Sequence, residues 1–180
     1  TKLREQGFRN TIAEKYPAIK VVAAKETLGN PDLTVSRATE IIETWPNLKG
    51  IYVTDGAAPV HAARAVEEAG KSGEICLLTS DVVEGIAQYI AKGTITATLS
   101  QNLYAQGYNP VIHLFNHIVC GWNPESPRCL LAVDVITKEN LSDYWEIGKG
   151  LVISQNARDM LPQPIKRSPE KIRIAVIGDD

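Results

Sequence analysis

The sequence has few features of a disulfide-bonded, metal-bound or membrane-spanning protein. Its 180 residues include only three cysteines. Because their number is odd and no two are closely spaced, they exclude a disulfide framework and a CxxC zinc site. No apolar run is long enough for a transmembrane helix, and the first residues show no signal-peptide pattern. The formal net charge of -2 gives no support for nucleic acid as a partner of this segment.

Common catalytic and metal-binding motifs are missing as well. The sequence contains no GxxxxGK[ST], GxSxG or HExxH pattern, and no histidine is placed to activate Ser80 beside Asp81. His113, His117 and Cys120 have zinc-like spacing on one predicted helix, but no fourth ligand is evident. We therefore expect a protein that holds no metal and no cofactor.

What the sequence does contain is a regular alternation of strand-like and helical apolar segments. The strand-like runs are at 18–24, 50–54, 74–80, 94–100 and 129–137, and the helical runs are at 2–14, 31–45, 57–69, 82–92 and 103–120. This alternation predicts an α/β fold, in which a parallel, twisted, Rossmann-like sheet has helices on both faces. A proline-rich polar stretch follows, and the final KIRIAVIGDD is again typical of a strand.

Polar side chains directly follow three of the predicted strands. Asp55, Asp81 and Gln101 each occupy the first position after a strand, and Arg4 begins the first helix. Because the carboxyl ends of parallel strands share the edge where ligands bind, we expect these three side chains to meet there, and Arg4 to reach the same edge if a strand precedes Thr1. Two carboxylates, an amide and a guanidinium suit a polyhydroxylated ligand. An alternative, which is compatible with ligand binding, is that both aspartates cap the helices that follow them.

Three stretches resemble a known family: LREQGFRNTI, WPNLKGIYVTDGAAPVHAARAVEEAGK and TSDVVEGIAQYIAKGTITATLSQN. They are similar to the C-terminal lobe of type I periplasmic sugar-binding proteins, which belong with the ribose-binding proteins. The same fold serves as the effector domain of lac-repressor-like regulators. The resemblance covers about residues 1–146. It implies that four residues contact sugar hydroxyls, namely Arg4, Asp55, Asp81 and Gln101.

The resemblance also implies a division of the chain. Residues 1–101 would form the C-terminal lobe, 102–147 a crossover segment packing on a first lobe absent from the chain, 148–171 a linker, and 172–180 the first strand of a following domain. That domain would be a second receptor domain. The alternatives are a receiver domain in which Asp179 and Asp180 help to hold Mg²⁺, or a closing strand of the present fold.

The function implied by the resemblance is non-catalytic binding of a sugar or cyclitol. The ligand would lie in a cleft between two lobes that close at hinges near 101–102 and 135–137. Its other partner would be a membrane permease or a signalling module, and its location periplasmic or extracytoplasmic. One alternative is the effector-binding domain of a regulator or signalling protein, which would be cytoplasmic if a regulator. A further alternative is a sugar-acting enzyme that uses Asp55 and Asp81.

Overall fold

The chain packs as two units. The computed structural model describes residues 2–126, 128, 131–168 and 170–176. The first unit comprises the residues up to Gln101 together with Val133–Ser154, and the second comprises Asn102–Ala132 together with the residues from Gln155 onwards. The chain first leaves the first unit between Gln101 and Asn102, at one predicted hinge. The other predicted hinge, 135–137, lies inside the first unit.

A four-stranded sheet forms the centre of the first unit. Its strands, in spatial order, are β1 (Gly50–Tyr52), β2 (Cys76–Ser80), β3 (Ala97–Ser100) and β4 (Asp134–Ile136). The pairs β1–β2 and β2–β3 are parallel, and β4 is antiparallel to β3. This confirms the predicted α/β class with a mainly parallel sheet. The carboxyl ends of β1, β2 and β3 consequently lie at one edge, as the predicted site requires.

Four helices accompany this sheet: α1 (Lys2–Lys15), α2 (Pro31–Thr44), α3 (Pro59–Glu68) and α4 (Glu84–Lys92). The start of α2 follows the sequence signal, because the Asn30 side chain accepts a hydrogen bond from the Leu33 amide at 2.9 Å. The apolar core contains side chains from α3, α4, β2 and β4, among them Ala63, Val66, Leu77, Ile86, Ile90 and Ile136.

The prediction of a strand at 18–24 is wrong. The segment has no regular secondary structure, and none of its described residues joins a sheet ladder. Ile19 and Val22 remain 54% and 40% exposed. A strand exists only where a neighbour pairs with its amide and carbonyl groups, and β-branched composition cannot supply that neighbour. Cys76 is also exposed, at the start of β2, although it lies in the apolar run EICLL.

Glu84, the first residue of α4, binds a short hairpin. Strands β5 (Trp145–Glu146) and β6 (Gly150–Leu151) follow a 3₁₀ turn at Leu141–Asp143 and pair antiparallel. Glu84 accepts hydrogen bonds from Trp145 Nε1 at 2.8 Å and from the Gly148 amide at 3.1 Å. These two bonds, led by that of the indole, hold the pKa of the Glu84 carboxyl below its usual value.

The second unit contains α5 (Leu103–Cys120) and α6 (Gln155–Asp159). Asn116 of α5 is 3% exposed and binds an extended backbone segment through both ends of its amide. Its Nδ2 donates to Gln163 O at 3.3 Å, and its Oδ1 accepts from Ile165 N at 2.9 Å. No helix in the described part of the chain has the length and apolar character needed to cross a membrane.

The structure describes most of the predicted linker and part of the predicted strand that follows it. The predicted linker, 148–171, includes β6, α6 and the residues bound by Asn116, so part of it is ordered against α5. Residues 171–176 belong to no strand, and 177–180 lie outside the described residues. The first strand of a following domain, at 172–180, therefore stays a prediction.

Acid should weaken the hydrogen bonds between the hairpin and Glu84. Since the pKa of Glu84 is lowered, its hydrogen bonds are at full strength above the ordinary glutamate pKa and weaken as the pH falls through the lowered value. We expect the indole N–H signal of Trp145 in NMR spectra to titrate with a midpoint below pH 4.5. Glu84→Gln should remove this titration, and Trp145→Phe identifies the signal. An unchanged titration in Glu84→Gln would contradict the assignment.

Removing the Asn116 amide should loosen the segment at 161–168. Asn116→Ala removes the two hydrogen bonds that hold the backbone of Gln163 and Ile165, and each such bond contributes about 0.5–1.5 kcal/mol locally. We expect trypsin to cleave at Lys166 and Arg167 faster in this variant than in the wild type. Cleavage after Lys25, which lies in the first unit, serves as the internal control. Equal acceleration at both places would indicate general unfolding and not a local release.

Candidate ligand-binding site

The first helix brings Arg4 to the carboxyl end of β1. Arg4 Nη1 donates to the carbonyl of Thr54 at 2.6 Å. One turn later, the ring of Phe8 lies against Tyr52 of β1, with the ring centroids 5.1 Å apart. Since Thr54 immediately precedes Asp55, the guanidinium is placed beside the first of the two predicted aspartates.

Asp55 shapes the loop that follows β1. Its Oδ1 accepts hydrogen bonds from the amides of Ala57 and Ala58, at 2.9 and 2.8 Å. This is an Asx-type turn, in which a side chain replaces a backbone acceptor. The N-cap of α3 is Ala58, which makes no side-chain cap. Asp55 is therefore used locally, but it does not cap the helix as the alternative interpretation proposed.

Asp81 lies at the end of β2 in an uncommon backbone conformation. Its φ is 71°, in the left-handed region that disfavours most side chains but tolerates aspartate. Its amide donates to Leu99 O at 2.9 Å, and its carbonyl accepts from Thr98 Oγ1 at 2.6 Å. Val83 occupies the N-cap of α4, so Asp81 does not cap that helix either. Because these two backbone hydrogen bonds to β3 hold Asp81 in place, its side chain is available for another role.

The carboxylate of Asp81 connects the ends of all three parallel strands. Its Oδ1 accepts a hydrogen bond from Gln101 Nε2, at the end of β3. Its Oδ2 lies against Gly56 in the loop after β1, where a methyl group on Gly56 would be 2.6 Å from that oxygen.

The structure thus brings the four predicted residues into one continuous rim. Arg4 contacts Thr54, Asp55 follows in the chain, Gly56 touches Asp81, and Asp81 bonds Gln101. We call Arg4, Asp55, Asp81 and Gln101 the strand-end rim. That they contact a ligand remains a prediction.

Sequence reasoning missed two residues that shape this rim. Gly56 makes room for the Asp81 carboxylate, and Thr98 fixes the Asp81 carbonyl. An Asp-Gly pair directly after a strand is a turn signal that could have drawn attention to Gly56. Thr98 gave no such signal, because threonine is also common in strands for its shape alone.

The residues with zinc-like spacing serve the end of α5. The ring of His113 lies 5.0 Å from that of Trp122, and His117 Nδ1 is 3.1 Å from the Trp122 carbonyl. Cys120 Sγ donates to Asn116 O at 3.0 Å. Within the described ranges, no group of three or more histidine, cysteine, aspartate or glutamate side chains is arranged to hold a metal ion.

Comparison with known proteins identifies the family. The family model described as "Periplasmic binding protein domain" matches residues 1–119. Because the match includes more than half of the chain, the chain belongs to this family. The D-allose-binding periplasmic protein of Escherichia coli K12 is 29% identical over 89 residues. The D-apiose import binding protein of Actinobacillus succinogenes is 27% identical over 139 residues.

Solved structures agree with this assignment. The sugar-binding protein of a sugar ABC transporter from Bacillus halodurans superimposes with a TM-score of 0.69 and 30% identity, over 77% of the chain. The matched part is 51% of that structure, and the matches to the two curated relatives are 29% and 44% of their lengths. The chain therefore spans about half the length, or less, of the proteins it matches.

Thr98 and Thr79, which are paired across β3 and β2, provide a test of how Asp81 is held. Thr98→Val removes the hydroxyl that bonds the Asp81 carbonyl, and we expect it to lower the free energy of unfolding by about 1–3 kcal/mol. Thr79 is paired with Thr98 across the strands and is 0% exposed. Its Oγ1 has no hydrogen-bond partner among the described residues, so Thr79→Val should be neutral or stabilising. Urea unfolding measures both variants, and equal losses would contradict this account.

Proposed function

We propose that the chain provides one lobe of a receptor that binds a sugar or cyclitol without catalysing a reaction. The ligand would be enclosed between this lobe and a second one. The single observation that carries the proposal is the Asp81 carboxylate, which bonds Gln101 and touches the loop that begins at Asp55. Four polar groups of matching chemistry thereby converge at the edge where ligands of parallel sheets bind.

The rim retains hydrogen-bonding capacity for hydroxyl groups. An ionised carboxylate accepts several hydrogen bonds, so the bond from Gln101 to Asp81 and the two amide bonds to Asp55 use only part of what each offers. The guanidinium of Arg4 likewise carries more donors than the one that binds Thr54. Hydroxyls both donate and accept, and bonds to charged groups are the stronger ones in a closed cleft.

The relatives' names support a sugar over other polyhydroxylated ligands. They refer to D-allose, to D-apiose import and to the sugar-binding protein of an ABC transporter. We therefore propose a solute-binding receptor for transport, with a membrane permease as its protein partner and an extracytoplasmic location. Ligand binding would shift the protein from an open to a closed arrangement of the two lobes. The free energy of this shift cannot exceed the ligand's preference for the closed form over the open one.

Removing the Asp81 carboxylate should nearly abolish binding. In the full-length protein with both lobes, we expect Asp81→Ala to weaken the binding of its sugar by at least about 100-fold, since charge-assisted hydrogen bonds are lost in a closed cleft. Asp81→Gly is the better variant for the fold, because glycine adopts a φ of 71° without strain. Calorimetry with D-allose, D-apiose and D-ribose supplies the affinities.

The control is an aspartate remote from the rim. Asp32 is exposed in the first turn of α2, and Asp32→Ala should leave sugar affinity unchanged. Melting temperatures establish that each variant is folded. If Asp81→Gly binds the sugar as tightly as the wild type, the site assignment is wrong. If the wild type binds no sugar of a broad panel, the proposed function itself fails.

A further inference from the structure

Gly56 is required by space and not by backbone conformation. Its φ lies outside the left-handed range that obliges a chain to use glycine. A methyl group at this position would instead lie 2.6 Å from Asp81 Oδ2 and 3.6 Å from Asp81 Cγ. Such a short separation forces one of the two groups to move.

A shift of the Asp81 carboxylate changes its position relative to Gln101. Its backbone is held at both polar groups, by Leu99 O and by Thr98 Oγ1. The side chain can turn, and because both oxygens belong to one rigid carboxylate, turning Oδ2 away from position 56 also moves Oδ1 relative to Gln101 Nε2. The contact at Gly56 and the bond from Gln101 therefore fix the carboxylate from two sides.

We propose that Gly56 is a positioning residue that sets which sugar hydroxyl Asp81 binds. The bare glycine lets the carboxylate lie across the loop, with one oxygen held by Gln101. The carboxylate is then held in a single orientation, and that orientation selects the hydroxyl geometry of the ligand. This inference rests on the proposed function, since it assigns a specificity role within the same site.

The first test compares alanine substitutions at two glycines, Gly56 in the loop after β1 and Gly50 at the start of β1. Gly56→Ala should weaken binding of the sugar that the wild type prefers by about tenfold or more, the equivalent of one misplaced charge-assisted hydrogen bond. Gly50 is the matched control at the other end of the strand. A methyl there would lie 3.5 Å from Cys76 O, an ordinary contact, so Gly50→Ala should retain wild-type affinity.

A set of monodeoxy analogues of the preferred sugar separates positioning from general damage. The hydroxyl whose removal weakens wild-type binding but not Asp81→Gly binding is the one that Asp81 contacts. The proposal expects Gly56→Ala to lose sensitivity to that hydroxyl alone while it keeps its sensitivity to the others. Wild-type sensitivity at every position in Gly56→Ala, or a uniform loss at all of them, would overturn the inference and leave the proposed function standing.

Melting temperature gives a second, ligand-free test in the same protein. Gly56→Ala should lower the melting temperature of the wild type by a few degrees, because of the forced contact. In an Asp81→Gly background the same substitution meets no carboxylate and should lower it much less. Equal shifts in both backgrounds would show that Gly56 does not act through Asp81. A wild type that binds no sugar would instead remove the proposed function and, with it, the specificity role.

Discussion

The hydrogen bond between Gln101 and Asp81 depends on a constraint set by the whole sheet. Parallel pairing of β2 with β3 brings the ends of the two strands side by side, and only then can the amide reach the carboxylate. The left-handed backbone of Asp81 directs the chain away from the strand at that point. A strained conformation of this kind persists where surrounding contacts hold it, and such positions concentrate at ligand sites.

Several local features cooperate in keeping this carboxylate in place. The hydroxyl of Thr98 donates a hydrogen bond to the Asp81 carbonyl, although threonines in strands commonly serve packing alone. Asp55 folds its own loop through two amides and so fixes the position of Gly56. Arg4 brings positive charge to the neighbouring strand end. The site therefore lies at the ends of the parallel strands, and side chains of the strand-end rim hold the loops that follow these strands.

The sequence predicted the mainly parallel sheet and the residues of the rim, because strand periodicity places the next polar residue at a known edge. It did not predict the fate of 18–24, since apolar composition does not reveal whether a neighbouring strand exists. Helix capping by Asp55 and Asp81 was a reasonable alternative, and only coordinates show Ala58 and Val83 at the N-caps. The close approach of position 56 to the Asp81 carboxylate depends on how two separate loops meet, which spacing along a chain cannot express.

The most direct measurement is a crystal structure of the full-length, two-lobed protein with its preferred sugar bound. The account predicts sugar hydroxyl oxygens at hydrogen-bond distance, about 2.7–3.0 Å, from the Asp81 carboxylate, with Gln101 still bonded to the same side chain and Arg4 and Asp55 in contact with the ligand. A sugar bound elsewhere on the molecule, or one in the cleft that leaves Asp81 without a ligand contact, would contradict the central claim.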